Sequence, residues 1–453
     1  MIGTIFSNVF AALIVLGVII VIHELGHFLV AKAFGIRVDA FSVGFGPRLF
    51  GYRYGDTDYR VSAFPLGGYV KMAGELPGED VSGDPHEFLS KPKWQRFLVA
   101  FAGPAMNGVL AIGLLTGLYM YGSEVEEWFG SAAVVGVVES ESAAEAAGIL
   151  PGDRILAIAG KENPTWQTAL TEVLLSPDLD LPVRLDRGGA VVETTLTPAR
   201  RPRDETGYSG MMPYRPVLVA GFSFGDSPAE QAGLLPGDRI VAVGDTELLP
   251  SAPPIEELVQ GYPSARLPIT VERGEERLLL EVGTTINPDG QRVMGINLDD
   301  FPTVMIQLGA ADALALSLEE NGRNAMLIFE ILGRLVKRET SMRSLDGPIG
   351  IIRVSGQMFE AGFAPLISLM ALISLNLGII NLLPIPILDG GVMLLLAIEG
   401  LMRHDLSLAV KERIVQVSFV FLLAVIAVVI YNDVVKMIPP SATPPANTES
   451  LSP

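Results

Sequence analysis

Four long apolar runs set the pattern of this chain. Residues 5–33 form the first. Phe97–Ser123 is the second, 27 residues without Asp, Glu, Lys or Arg; Ala361–Leu388 is the third, with 28; Ile414–Asn432 is the fourth, with 19. Each approaches or exceeds the roughly 20 apolar residues needed to cross the hydrocarbon core, and predicts a membrane-spanning helix rather than a buried core helix. The first run lacks a basic n-region and an Ala-x-Ala cleavage site, so it reads as a retained span. Residues 36–72 behave differently. Alternation in segments such as Tyr59-Arg60-Val61-Ser62-Ala63-Phe64, broken by Gly44, Gly46, Gly51, Gly55, Gly67 and Gly68, predicts β-hairpins with an available edge. Ala313–Arg338 is apolar with scattered charges and predicts an interfacial helix.

The polar region between the second and third runs repeats itself. Ala147-Gly148-Ile149-Leu150-Pro151-Gly152-Asp153-Arg154-Ile155 recurs as Ala232-Gly233-Leu234-Leu235-Pro236-Gly237-Asp238-Arg239-Ile240, 85 residues later. That spacing is a small domain, not a solenoid unit. Pro-Gly-Asp is turn chemistry leading into short strands, with a short helix expected before each turn. The pair resembles tandem PDZ domains of the bacterial protease type, which bind extended peptides by strand addition. The expected peptide-facing strands are Val135–Val138 and Gly221–Phe224; a pair of β-rich domains acting only as a filter is the alternative.

Mean hydropathy is +0.42, too apolar for an ordinary soluble protein of this length. The net charge of −19 is concentrated in residues 124–346, where 18 Lys and Arg face 35 Asp and Glu. That balance argues against a nucleic-acid partner. Residues 31–96 carry nine Lys and Arg, and Arg403, Lys411 and Arg413 precede the fourth run. The positive-inside tendency therefore places 31–96 and 390–413 in the cytoplasm, and both termini and the acidic region outside.

Candidate chemistry lies inside the first run. His23-Glu24-Leu25-Gly26-His27 is a His-Glu-x-x-His motif, and Glu24 is the first charged residue of the chain. Four residues apart on a helix, the histidines share one face and can grip one Zn²⁺, while Glu24 can take a proton from a metal-bound water. With no Cys and four His in the chain, any zinc site must use His, Asp or Glu. Two histidines leave a catalytic zinc short of a ligand, and Asp389 is the best third candidate. It follows Asn381-Leu382-Leu383-Pro384-Ile385-Pro386-Ile387-Leu388 at the end of the third run, where a carboxylate is costly unless it meets a cation.

The motif in the first span, Leu388-Asp389-Gly390 in a late one and the repeat between them resemble the site-2 protease family of intramembrane zinc metalloproteases. The order of parts is similar to its bacterial envelope-stress members. Phe101-Ala102-Gly103-Pro104-Ala105-Met106-Asn107 resembles the family's second-span segment, and Gly67-Gly68-Tyr69-Val70-Lys71-Met72 its membrane-associated β segment. The resemblance implies a polytopic α-helical membrane protein with four transmembrane helices, a β segment at the membrane and two β-rich PDZ domains. It implies that His23, His27 and Asp389 hold zinc and that Glu24 is the general base. Asn381, Asn107, Gly68 and Tyr69 would serve substrate binding.

The implied divisions are 1–34 (first span with the zinc motif), 35–96 (cytoplasmic β region), 97–123 (second span), 124–210 and 211–305 (the two PDZ domains) and 306–346 (interfacial helix region). Then come 361–391 (third span with Asp389), 414–435 (fourth span) and 440–453 (flexible tail). The expected activity is regulated intramembrane proteolysis in the bacterial inner membrane, near its cytoplasmic side. Its substrate would be a single-pass protein such as a pre-trimmed anti-sigma factor, or a signal-peptide remnant, with the PDZ pair outside the cytoplasm gating access. The partners are thus that substrate, membrane lipid and possible PDZ peptides. The competing readings are a membrane-tethered PDZ adaptor with a vestigial metal site and an intramembrane zinc transporter or sensor.

Overall fold

The computed structural model describes residues 2–75, 83–214, 216–248, 252–274, 276–287, 290–299, 303–344 and 346–437. The expected tail, 440–453, lies outside them. In chain order the helices are α1 (Ile2–Ala33), α2 (Lys93–Tyr121), α3 (Glu127–Gly130), α4 (Ala143–Ala146), α5 (Trp166–Leu175), α6 (Pro228–Gln231) and α7 (Ile255–Gly261). Then follow α8 (Ala310–Val336), α9 (Pro348–Ala361), α10 (Phe363–Asn381), α11 (Asp389–Met402) and α12 (Leu408–Met437). The chain forms two compact units. One holds the described residues of 1–123, 306–333 and 345–453; the other those of 124–305 and 334–344.

In the first unit, four helices among the described residues are long and apolar enough to cross a membrane: Phe6–Ala33, Lys93–Tyr121, Phe363–Asn381 and Ala409–Lys436. A glycine lets α1 and α2 touch. A Cβ on Gly26 would lie 2.3 Å from the Ala102 carbonyl oxygen, so only a bare Cα fits. On its other side α2 meets α10, where Gly378 packs over Pro104 and Asn107 and the Ser374 hydroxyl donates to the Asn107 carbonyl at 2.9 Å. Asp433 of α12 accepts the backbone N–H groups of Gly347, Ile349 and Gly350, satisfying donors that the start of α9 would otherwise leave unpaired.

The third apolar run departs from the expectation of one span over 361–391. Its helix α10 stops at Asn381, and α11 starts at Asp389. Pro384 and Pro386 cannot continue a hydrogen-bonded helix. The intervening turn is tight: a Cβ on Gly390 would lie 2.3 Å from the Leu382 carbonyl oxygen, and one on Gly391 2.2 Å from that of Ile385. Asp389 thus opens a helix rather than closing a span.

Val38–Tyr54 and Thr57–Met72 build a small sheet. Residues 38–43 pair with 68–72 and also with 58–61, while 48–54 pair with 57–62, so 68–72 forms one margin of the sheet. Phe45, Leu49, Phe50, Tyr52, Tyr54 and Phe64 are exposed, an apolar surface suited to a membrane interface. Helix α8 likewise exposes Leu318, Met326 and Phe329, while its Ser317 donates to the Ile112 carbonyl of α2.

The second unit contains two β-rich lobes with separate cores. The first gathers Ile149, Ile155, Trp166, Val173, Leu185 and Leu196; the second Leu234, Ile240, Val259, Leu267, Ile269 and Val282. The sequence repeat has a physical cause. Asp153 accepts the Leu150 N–H and binds Arg187, which also donates to the Gly148 carbonyl. Asp238 does the same with Leu235, Arg273 and Gly233. Each buried carboxylate therefore locks its Pro-Gly-Asp turn to a distant strand by a two-pronged bond. Burial pushes the Asp238 carboxyl up, but Arg273 and the Leu235 N–H outweigh it and hold it below the usual range.

Two expectations change here. Met211 belongs to the first core and Met211–Pro213 pairs with Val135–Val138, so the first lobe extends past the expected boundary at 210. The strands expected to face peptide are also occupied. Val135 is tied to Asp153 and Gly152 on one side, while its strand pairs with Met211–Pro213 on the other. Val217–Phe222 lies between Arg239–Val243 and Ile296–Asp299. In the second lobe the margin is Ile296–Asp299 instead.

Candidate metal centre

Helical spacing places His23 and His27 on one face of α1, with ring centroids 4.9 Å apart. Asp389, the first residue of α11, reaches the same point. His23 Nε2 lies 3.2 Å from Asp389 Oδ2, His27 Nε2 lies 3.5 Å from Asp389 Oδ1, and the two Nε2 atoms are 3.2 Å apart. Three potential donors, one from each residue, lie within 4.8 Å of one another. A tetrahedral zinc with N and O ligands at about 2.0–2.2 Å sets its donors about 3.3–3.6 Å apart. The observed separations match that spacing, and both histidines are buried. The residues present therefore fit zinc.

Outer contacts fix the rings. His27 Nδ1–H donates to the Val99 carbonyl of α2 at 2.7 Å, which leaves Nε2 with its lone pair toward the donor cluster. His23 Nδ1 lies 3.2 Å from the Asn107 side-chain nitrogen Nδ2, and the side-chain oxygen Oδ1 of Asn107 is buried without a hydrogen-bond partner. Turning that amide over satisfies both: the oxygen accepts Nδ1–H, and His23 Nε2 also becomes a ligand atom. Asn381, the last residue of α10, brings its amide nitrogen to 3.4 Å from His23 Nε2. Gly103 makes this approach possible, since a Cβ there would lie 2.3 Å from His27 Nε2 and 2.8 Å from His23 Cε1.

Glu24 stands beside the cluster but outside it. Its Oε2 accepts the Val70 N–H at 3.0 Å, from the margin 68–72 of the small sheet. A Cβ on Gly68 would lie 2.8 Å from the Ser42 carbonyl oxygen and 3.4 Å from Glu24 Cγ. Tyr69 stacks on Phe45, with ring centroids 5.9 Å apart. His23, Glu24, His27, Tyr69, Val70 and Asp389 share one cavity of about 500 Å³. Asn107 and Asn381 touch His23, and Gly68 packs beside Glu24, so all eight expected site residues gather around this centre. Sequence reasoning missed Val99, Gly103 and Val70. The first and last act through backbone atoms, which no side-chain pattern reveals; the signal for Gly103 was the Ala-Gly-Pro step in an otherwise ordinary span.

Comparison with known proteins gives the family. The model of peptidase family M50 matches residues 11–425. "Regulator of sigma E protease" of Haemophilus influenzae is 32% identical over 94% of this chain and 98% of its own length. "Regulator of sigma-E protease RseP" of Escherichia coli K12 is 32% identical over 93% and 97%. A Neisseria meningitidis protein named "Putative zinc metalloprotease NMA0084" is 31% identical over 96% and 99%. With two donor histidines and the glutamate on one helix, and likeness along nearly its whole length, the chain belongs to peptidase family M50.

Proposed function

We propose that the chain is a zinc-dependent endopeptidase that cuts single-pass membrane proteins within the bilayer. The observation that carries this is the meeting of His23, His27 and Asp389 beside Glu24, on helices built to cross a membrane. Relatives named as a zinc metalloprotease and as regulators of sigma E support the metal and an anti-sigma factor as substrate class. The setting would be a bacterial inner membrane, with the site near its cytoplasmic side. A signal-peptide remnant is the second substrate class.

His23, His27 and Asp389 would hold the zinc ion, which would supply Lewis-acid chemistry for water and for the scissile carbonyl. Glu24, steadied by the Val70 N–H, would serve as the general base, taking a proton from the attacking water and passing it to the leaving amine. The Val99 carbonyl and Asn107 hold the two rings in the tautomer that ligation requires. Asn381 lies close enough to orient a substrate backbone group. A substrate helix has its carbonyls tied up and must unwind. The margin 68–72, whose Tyr69, Val70 and Met72 line the cavity, offers a strand for the unwound segment to pair with.

The two lobes read as PDZ domains that admit only trimmed substrates. In the second lobe, Ile296–Asp299 borders a groove of about 880 Å³ shared with Ile255 and Val259 of α7 and with Phe224. That groove replaces Gly221–Phe224 as the peptide-docking edge.

Purified full-length protein in detergent should cleave a transmembrane peptide, lose that activity to a zinc chelator and regain it with added Zn²⁺. Chelator-resistant cleavage would defeat the metal reading, and zinc flux without cleavage would favour transport. A variant lacking 124–305 should cut substrate that still carries a bulky outer domain. If it still rejects such substrate, the lobes are not the filter.

A further inference from the structure

Arg96, in the first turn of α2, lines the same cavity as His23, Glu24, His27 and Asp389. It is only 6% exposed. Its Nε is buried without a hydrogen-bond partner, and among the described residues its side chain forms no hydrogen bond or ion pair. A buried guanidinium without a bonded anion is costly.

Four neighbouring charges are paired with one another. Lys411 Nζ lies 2.6 Å from Glu399 Oε1, which also accepts the Leu406 N–H. Lys93 binds Asp405 at 2.8 Å and donates to the Glu399 carbonyl. Asp405 is held below the usual carboxylate range first by its bond to Lys93, with Arg96 and Lys411 acting at longer range. Glu75, which also lines the cavity, accepts the Met72 N–H. Of three cations and two anions in the Lys93, Arg96, Lys411, Glu399 and Asp405 group, Arg96 is the surplus charge. Glu399 Oε2 is the one buried acidic atom there without a hydrogen-bond partner, and no ion pair joins it to Arg96.

We propose that Arg96 is a specificity residue that binds a carboxylate of the peptide lying in the cavity. This rests on the peptidase reading above. Arg96 precedes Gly103, which touches both histidines, by seven residues of one helix, so it stands about 10 Å along the helix from the metal centre. An extended peptide advances about 3.3 Å per residue. The guanidinium therefore meets the substrate about three residues from the bond that is cut. A guanidinium fork grips a carboxylate through two parallel bonds. The carboxylate is an acidic side chain of the substrate.

The test uses full-length zinc-loaded protein and transmembrane peptides in which Asp or Glu, or the matching Asn or Gln, is moved through four positions on each side of the cleaved bond. Wild type should favour the acid over its amide by about 10–100-fold in kcat/KM at one position, the scale of a charged hydrogen bond. In R96Q that ratio should fall to about 1, in R96K it should survive in part, and in R96E it should turn toward Lys. Zinc content and melting temperature of each variant separate this from misfolding. A uniform loss in R96Q with the ratio kept, or no acid preference in wild type, would overturn the proposal while leaving the peptidase reading standing. No cleavage of any peptide by wild type would sink both.

Discussion

Glu24→Gln should keep its zinc and lose peptide hydrolysis by about 10²–10⁴-fold, the usual scale for removing a general base. The reasoning is geometric. Glu24 stands outside the donor set of His23, His27 and Asp389, and its Oε2 is engaged by the Val70 N–H. A glutamine can accept the same N–H, so the local structure survives. It cannot accept a proton from water at neutral pH. Zinc content, a melting curve and turnover of a transmembrane peptide measure the three quantities on one preparation. Wild-type turnover in this variant would remove Glu24 from the chemistry, and loss of zinc would make it a ligand instead.

Gly103→Ala should be nearly as damaging, through sterics alone. The new methyl would fall 2.3 Å from His27 Nε2 and 2.8 Å from His23 Cε1, atoms at the heart of the donor set. Neither helix can yield locally, because α1 and α2 are also pinned where Gly26 meets the Ala102 carbonyl. The expected result is loss of bound zinc and more than about 100-fold loss of turnover, since a displacement near 1 Å at a catalytic centre costs this much. Gly108→Ala on the same helix is the control. Nothing lies within 4 Å of a Cβ there, and alanine favours helix over glycine by about 1 kcal/mol. If both variants behave alike, the close approach at Gly103 is not what builds the centre.

The site was more legible than the architecture around it. Helical periodicity suffices to pair His23 with His27, and the cost of a carboxylate in apolar sequence suffices to single out Asp389. The break that carries Asp389 to the metal was half visible. Pro384 and Pro386 marked irregular backbone, but hydrophobicity alone does not separate one interrupted span from a span followed by a new helix at Asp389. Repeated Pro-Gly-Asp steps announced two lobes. Their Arg187 and Arg273 partners also recur in the sequence, as acidic-Arg-Gly, yet only the fold pairs them with Asp153 and Asp238. Edge strands were read wrongly because pairing is non-local. Val217–Phe222 is enclosed by Ile296–Asp299, some 75 residues on, and no local pattern encodes that neighbour. Arg96 passed unnoticed for a similar reason: a basic residue at the start of a span usually sits at the interface, and only burial in the cavity distinguishes it.

The central claim is that one zinc is held jointly by α1 and α11, through His23, His27 and Asp389. X-ray absorption at the zinc edge, on purified Glu24→Gln protein so that substrate is not consumed, tests this most directly. The account predicts two imidazole nitrogens and the remaining ligands oxygen, at about 2.0–2.2 Å, with the signal lost or rearranged when Asp389→Ala is added. A zinc spectrum unchanged by Asp389→Ala would contradict it.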